Sequence, residues 1–260
     1  MSDRVMAYFN RDMVYSKSME GIFAGRNALV IGGTGGIGRA LALELALLGA
    51  HMTVHGGSSQ ERLDGTLEAI RRTGGKADGF LCPADTPGAA ERILAQAPPP
   101  DILVCAWGPF SRGSLDALGP DDWRRPIENN LIFPGILISS VLGDMMTHEW
   151  GRILLFGGTN TDTIRGFTTT AAYSAAKTAL GVLAKSTAKA AGPFGVSCNV
   201  LCPGLTDTEY TGPELQRYNK TRSPGGKVLN SGEIARIGVE ILKNPQINGA
   251  IIPVDHGLAL

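Results

Sequence analysis

Tyr173 and Lys177 stand four residues apart in Tyr173-Ser174-Ala175-Ala176-Lys177, inside an alanine-rich stretch, residues 170–191, that reads as one long helix. At that spacing both side chains leave the same helix face. A free tyrosine titrates near ~10, too high for easy proton exchange at neutral pH. A lysine cation beside it favours the phenolate, at about 1.4 kcal/mol per pKa unit. The pair is a candidate acid–base device; a surface tyrosine next to a solvated lysine is the other reading. A second chemical feature is the run ALVIGGTGGIG at residues 28–38. Apolar strand, glycine loop and helix formers in that order bring a phosphate to a helix N-terminus, where free N–H groups and the macrodipole meet negative charge. Gly32 suits the tight turn, and Gly35, Gly36 and Gly38 admit close approach of backbone or ligand. An ordinary glycine-rich turn is the alternative.

The elements that must position these residues alternate along the chain. Apolar runs at residues 28–31, 51–55, 80–82, 101–105, 152–156, 196–201 and 250–254 read as strands. Helical patterns fall at residues 37–46, 60–72, 89–97, 130–148, 170–191 and 231–243, with Pro120-Asp121-Asp122 a further helix start. This α/β order implies a single doubly wound parallel sheet of Rossmann type with helices on both faces. One domain over residues 25–260 follows, preceded by an extension, residues 1–24, that reads as a free leader or as an arm on a neighbouring subunit. A nucleotide would lie across the carboxyl ends of the strands, where their order reverses. Residues 206–230 are polar and turn-rich, a candidate mobile substrate loop whose Tyr210, Leu215 and Tyr218 suggest a partly apolar lid.

Charge and cysteine usage narrow the function class. With 24 basic and 24 acidic residues the formal charge is zero, so nothing argues for nucleic acid or an anionic membrane as partner. Cys82, Cys105, Cys198 and Cys202 lie in apolar segments without CxxC spacing, which suits small buried thiols rather than a metal site or disulfide framework. No uninterrupted apolar run reaches the ~18 residues of a membrane helix, and the N-terminus lacks the apolar core of a signal peptide. A cytoplasmic protein is expected.

In register and order, these motifs resemble the short-chain dehydrogenase/reductase family over nearly the whole chain after residue 22. The family's TGxxxGxG loop corresponds to residues 31–38, with Ile31 in place of the threonine, and its YxxxK pair to Tyr173 and Lys177. Pro203-Gly204, preceded by Asn199, and Val254-Asp255-His256-Gly257 match its C-terminal motifs. The resemblance implies a reaction in which Tyr173 delivers a proton to a carbonyl oxygen while a nicotinamide delivers hydride to its carbon. Lys177 would also hold the nicotinamide ribose, and Asn130 would support a water relay behind the lysine. Gly32, Thr34, Gly35, Gly36, Ile37, Gly38, Trp107, Gly108, Pro203 and Gly204 would line the cofactor cleft. A homo-oligomer, tetramer or dimer, built on the helices around residues 125–148 and 170–190 is implied as well.

Several departures from the family pattern bear on activity. The catalytic serine position is Gly158 when aligned from the strand and Asn160 when counted back from Tyr173, and no serine occurs between Gly151 and Tyr173. Thr159 is the nearest hydroxyl to replace it and Thr161 the second; losing such a donor costs on the order of 10²–10³ in rate. Cys105-Ala106-Trp107-Gly108 stands where the family has NNAG, and Trp107 either walls the cleft or fills volume. Pro83 replaces an acidic residue that touches adenine, with Asp85 two residues on. At the end of the second strand Gly56, Gly57 and Ser58 replace the carboxylate that would bind a ribose 2′-hydroxyl and repel a 2′-phosphate. With Ser58 as donor and Arg39 and Arg62 within possible reach, NADP(H) is preferred over NAD(H). Two functions follow: a reductase or dehydrogenase interconverting a small ketone and a secondary alcohol, or a nucleotide-binding homologue without redox turnover that acts as a sensor or partner subunit.

Overall fold

The computed structural model describes residues 21–209 and 211–258, without the side chains of Leu215 and Tyr218. Most of the expected N-terminal extension therefore lies outside the described residues, as do Tyr210 and the apolar contacts of the expected lid.

Seven parallel strands form the central sheet. β1 (Asn27–Ile31), β2 (His51–Gly56), β3 (Lys76–Leu81), β4 (Ile102–Cys105), β5 (Gly151–Phe156), β6 (Val196–Pro203) and β9 (Ile251–Val254) lie in the order β3-β2-β1-β4-β5-β6-β9. The chain first builds outward from β1 through β2 to β3, then returns to the other side of β1 with β4. That reversal opens a crevice at the carboxyl ends of β1 and β4. β4 and β5 are buried along their whole length, as parallel strands covered on both faces must be. β3 is an edge strand and begins four residues before the apolar run at Phe80. Its Lys76 and Asp78 are exposed, because an edge needs only one apolar face and tolerates charge on the other.

Successive residues of each strand feed opposite helix layers. Ala28 and Val30 pack with Leu41 and Leu45 of α1 (Gly36–Leu47), Leu63 and Ile70 of α2 (Gln60–Arg72), and Ile234 and Val239 of α8 (Ser231–Lys243). Leu29 and Ile31 pack on the other face with Ile93 of α3 (Ala89–Leu94), Leu137 and Val141 of α5 (Phe133–Thr147), and Leu180 of α6 (Ala171–Ala191). The expected helix at residues 130–148 starts earlier: α4 (Pro120–Ile127) leads through a wide turn, Glu128–Ile132, into α5. Pro134 has no N–H to give the carbonyl of Asn130, so the regular ladder cannot run through this point. Residues Pro120–Thr147 contain an 18-residue window of mean hydropathy 1.3, apolar enough by composition to cross a membrane. Ser139, Ser140 and Asp144 interrupt it, and the buried Leu137, Ile138, Val141 and Met145 make it a core helix.

The stretch 206–230, read from sequence as turn-rich, carries regular structure. β7 (Thr206–Asp207) pairs in parallel with β8 (Leu229–Asn230), and α7 (Pro213–Arg222) lies between them. Pro213 at the first turn and Glu214 beside it supply a helix start that the polar composition masked.

Gly32, at φ +75°, makes the turn out of β1, and Gly38 brings α1 down onto it. A methyl group on Gly38 would overlap the carbonyl oxygen of Gly32, a backbone atom that cannot step aside. Gly38→Ala should lower the stability of the cofactor-free protein by about 2–4 kcal/mol, with the loop forced away from α1. Denaturant unfolding of the variant checks this, and a change under about 0.5 kcal/mol would contradict it.

Candidate active site

Helix α6 carries Tyr173 and Lys177 on one face, over the carboxyl end of the sheet. Lys177 is 5% exposed, and its Nζ donates a hydrogen bond of 2.8 Å to the carbonyl of Phe156, the last residue of β5. Asn130, 1% exposed in the wide turn before α5, donates from Nδ2 to the carbonyl of Pro109 at 3.1 Å. Its Oδ1 is buried with no hydrogen-bond partner among the described residues. A Cβ on Gly108 would stand 2.8 Å from Lys177 Nζ and would overlap Asn130 Oδ1, so a glycine is required where the chain leaving β4 crosses this pair. Tyr173 is half-buried, with the Phe110 ring edge-on at 5.1 Å. The structure thus brings Tyr173, Lys177, Asn130 and Gly108 together from three elements that are distant in sequence.

Electrostatics here run opposite to the expectation for the tyrosine. Tyr173 is pushed up to about 12, first by burial and then by the neighbouring Cys202 thiol. Lys177 is itself lowered to about 8 by burial, with the Cys105 and Cys202 thiols pulling the other way. Its Nζ lies 5.9 Å from the Tyr173 ring centroid and is turned toward Phe156, so desolvation of the phenol outweighs the pull of the cation. In this state the phenol holds its proton firmly.

Gly158 lies directly against that phenol. A Cβ built on it would be 3.2 Å from Tyr173 Oη and 3.5 Å from Thr161 Cγ2. Both threonine hydroxyls offered by the sequence are engaged by backbone. Thr159 donates to the carbonyl of Pro203 at 3.3 Å. Thr161, 2% exposed, accepts from the Gly158 N–H at 2.7 Å and donates to the Gly158 carbonyl at 3.0 Å. Thr159 does line a cavity of about 450 Å³ beside Tyr173, together with Asn160, Phe110 and Ser174.

The glycine loop meets the second strand through a residue whose role the sequence reading passed over. His55, 1% exposed, faces the Gly32 N–H with Nδ1 at 3.3 Å and the Cys82 carbonyl with Nε2 at 2.7 Å. Burial lowers its pKa, and as a neutral ring it accepts at one nitrogen and donates at the other. An isolated polar residue at the end of an apolar strand was the signal available. Glu209 was invisible, being 173 residues from its partner: its carboxylate accepts from the Gly36 N–H at 2.7 Å. A carboxylate oxygen therefore sits at the N-terminus of α1, where free N–H groups and the positive end of the helix favour an anion.

Other candidates fall around this loop in different ways. Thr34 lines a second cavity, about 460 Å³, with Arg39, Arg62, Gly36 and Glu209. Gly35 is the extended residue before α1, and Ile37 lies in its first turn. Ser58 is exposed, and it is Ser59 that caps α2 by accepting from the Arg62 N–H at 3.3 Å. Asp85 opens instead onto a cavity with Pro109, Phe110 and the start of α4, apart from the one holding the two arginines. Trp107 packs edge-on against Phe133 at 5.4 Å, and its backbone closes on Gly32, so it fills volume as well as bordering the loop. Pro203 and Gly204 end β6 beside Asp255, where a Cβ on Gly204 would be 2.6 Å from that residue's Cβ.

Comparison with known proteins places this geometry. The sequence pattern of the family described as short chain dehydrogenase matches residues 26–219. A 3-oxoacyl-(acyl-carrier-protein) reductase of Pseudomonas aeruginosa is 31% identical over 246 residues, 90% of this chain and 97% of that protein. A 2-dehydro-3-deoxy-D-gluconate 5-dehydrogenase of Formosa agariphila is 26% identical over 246 residues, covering 90% and 92%. Among solved structures, a 3-oxoacyl (acyl-carrier-protein) reductase of Agrobacterium tumefaciens with NADP bound superposes with a TM-score of 0.83 at 29% identity, over 92% of this chain and 96% of that one. With its parallel sheet, its glycine loop and its Tyr173–Lys177 pair, this chain belongs to the short-chain dehydrogenase/reductase family of oxidoreductases, whose cofactor is a nicotinamide dinucleotide.

Proposed function

We propose that the protein is an NADP(H)-dependent ketone reductase of small molecules, formed by one catalytic domain over residues 25–260, with Tyr173 as the proton donor. The observation that carries this reading is the placement of Tyr173 at the wall of a cavity, with Lys177 one helical turn on and Asn130 beside it, in a chain whose glycine loop accepts a carboxylate. When bound, the dinucleotide supplies the hydride for reduction or accepts it for oxidation. Residues 32–38, Trp107, Gly108, Pro203 and Gly204 would hold it. Tyr173 gives its proton from Oη to the substrate oxygen, and a neutral phenol at pH 7 suits the reducing direction. Lys177, anchored on Phe156, stays within reach of the cleft with Asn130 beside it and is the neighbour that recharges or stabilises the phenolate left behind. Thr159 is the sequence candidate for a hydrogen bond to the substrate oxygen, although its proton already serves Pro203.

Arg39 and Arg62 at one cavity with Thr34 support a 2′-phosphate, since two guanidinium groups suit a dianion and no carboxylate ends β2. Exposed Trp123, Ile132, Ile136, Val182 and Phe194 on the helices of residues 120–194 support a homo-oligomer. The four cysteines, buried as free thiols, fit a reducing compartment such as the cytoplasm. Gly158 is what favours the non-catalytic sensor, because it removes the hydroxyl beside Tyr173, and the first assay below separates the two readings.

NADPH oxidation with a panel of small ketones, diketones and 3-oxoacyl thioesters should show turnover. Tyr173→Phe should lower it by roughly 10²–10⁴ with NADPH affinity retained; no turnover in the parent protein, with NADPH bound, would favour the sensor. Arg39→Ala and Arg62→Ala should each weaken NADPH binding by about tenfold or more while leaving NADH nearly unchanged, as calorimetry would show. An equal loss for both nucleotides would contradict the assignment. In the cofactor-free protein, Lys177 binds its proton less tightly when folded, so its burial disfavours the fold below about pH 8, and this penalty fades as pH rises from about 8 toward 10.5. Lys177→Met should therefore be the more stable form at pH 7, by up to about 3 kcal/mol, and lose that advantage by about pH 10. A pH-independent difference in melting temperature would contradict this.

A further inference from the structure

The position beside the phenol that lacks a hydroxyl leaves the substrate oxygen short of one hydrogen-bond donor. Gly158 has no side chain there, and the single protons of Thr159 and Thr161 go to the carbonyls of Pro203 and Gly158. Between the two threonines, Asn160 lines the same cavity as Tyr173. Its backbone takes φ +61°, a left-handed conformation that asparagine adopts more readily than other residues bearing a Cβ. This conformation turns the chain back on itself between β5 and the wall of the cavity. Its Oδ1 is buried without a hydrogen-bond partner among the described residues, and its Nδ2 is not one of the buried unpartnered atoms there. The amide can present its N–H donors to a group entering the cavity.

We infer that Asn160 supplies the missing donor, its amide N–H binding the substrate carbonyl oxygen opposite the proton given by Tyr173. The inference rests on the ketone-reductase reading above and assigns the contact there to an amide instead of the Thr159 hydroxyl. An amide donor of this kind stabilises the developing oxyanion as preorganised side-chain amides do elsewhere, and it does not itself transfer a proton. Thr161 then has a different part: by bonding both the N–H and the carbonyl of Gly158, it fixes the turn that aims Asn160.

The test uses variants that keep the left-handed backbone. Asn160→Gly removes the amide at a position where glycine is at ease, and Asn160→Asp keeps the shape but removes the donor. With the ketone that the parent protein reduces fastest in the panel above, both should lower kcat/KM by roughly 10²–10³, with NADPH affinity within about twofold of the parent. Asn160→Ser, which offers a hydroxyl, should recover a large part of the loss. In the dead-end complex of the same ketone with NADP⁺, the carbonyl stretch should shift to lower frequency in the parent and return toward its solution value in Asn160→Gly, a signature that a purely structural role would not move. Activity of Asn160→Gly within about threefold of the parent overturns the inference, as does a loss carried by Thr159→Val with no carbonyl shift in Asn160→Gly. If Tyr173→Phe retains full turnover, or no ketone is reduced, the underlying reading fails and this inference with it; a dead Tyr173→Phe beside a fully active Asn160→Gly sinks the inference alone.

Discussion

An ammonium group sealed under the end of a parallel sheet must find an acceptor, and the rest of the site is arranged around the one that Lys177 uses. Its bond to the Phe156 carbonyl joins α6 to the last residue of β5. A carbonyl at a strand's end has no further ladder partner beyond the sheet, so it is free to take the charge. The buried face of α6, which includes Ala172, Ala176, Leu180 and Ala184, carries Lys177 toward that carbonyl, and Tyr173 stands one turn earlier at the cavity. Gly108 must be a glycine because the chain from β4 crosses the same spot, and Asn130 closes the remaining side. Breaking the bond would leave a buried charge without a partner, a loss of several kcal/mol, so catalytic geometry and stability are tied together here.

Burial has a second consequence, for direction. It moves Tyr173 up and Lys177 down, and the two shifts set apart two groups whose ordinary values nearly coincide. At neutral pH the phenol keeps its proton, while a lysine lowered to about 8 exchanges its own close to that pH. The thiols of Cys105 and Cys202, at the ends of β4 and β6, oppose the lowering of Lys177. At the other end of the cleft, His55 and Glu209 prepare the glycine loop. One receives the first N–H of the turn, and the other already places a carboxylate where α1 begins.

Much of the fold was legible because it rests on local chemistry. Helices at residues 60–72 and 231–243 coincide with α2 and α8, since Ser59 and the Asn230–Glu233 capping box mark their starts. Strand β3 was read too short, because an edge strand carries Lys76 and Asp78 that break the apolar signal without breaking the strand. The segment 206–230 was read as loop because α7 is polar nearly all round, and its one visible signal, Pro213 before Glu214, is weak. That Tyr173 and Lys177 share one face of α6 was legible from an i, i+4 spacing. The direction of their pKa shifts was not, because desolvation depends on what packs against α6 and leaves no mark in the sequence of α6 itself.

By itself the sequence determined the alternation of elements, the glycine loop between β1 and α1 and the shared face of Tyr173 and Lys177, because each is written within a few consecutive residues and follows from backbone geometry. Only the tertiary structure decided that Lys177 binds Phe156, that Glu209 reaches Gly36, and that Thr159 turns to Pro203 while Asn160 Oδ1 is buried without a partner among the described residues. Hydrogen-bond competition between residues far apart in the chain settles those outcomes, and such competition exists only once the sheet has brought them together.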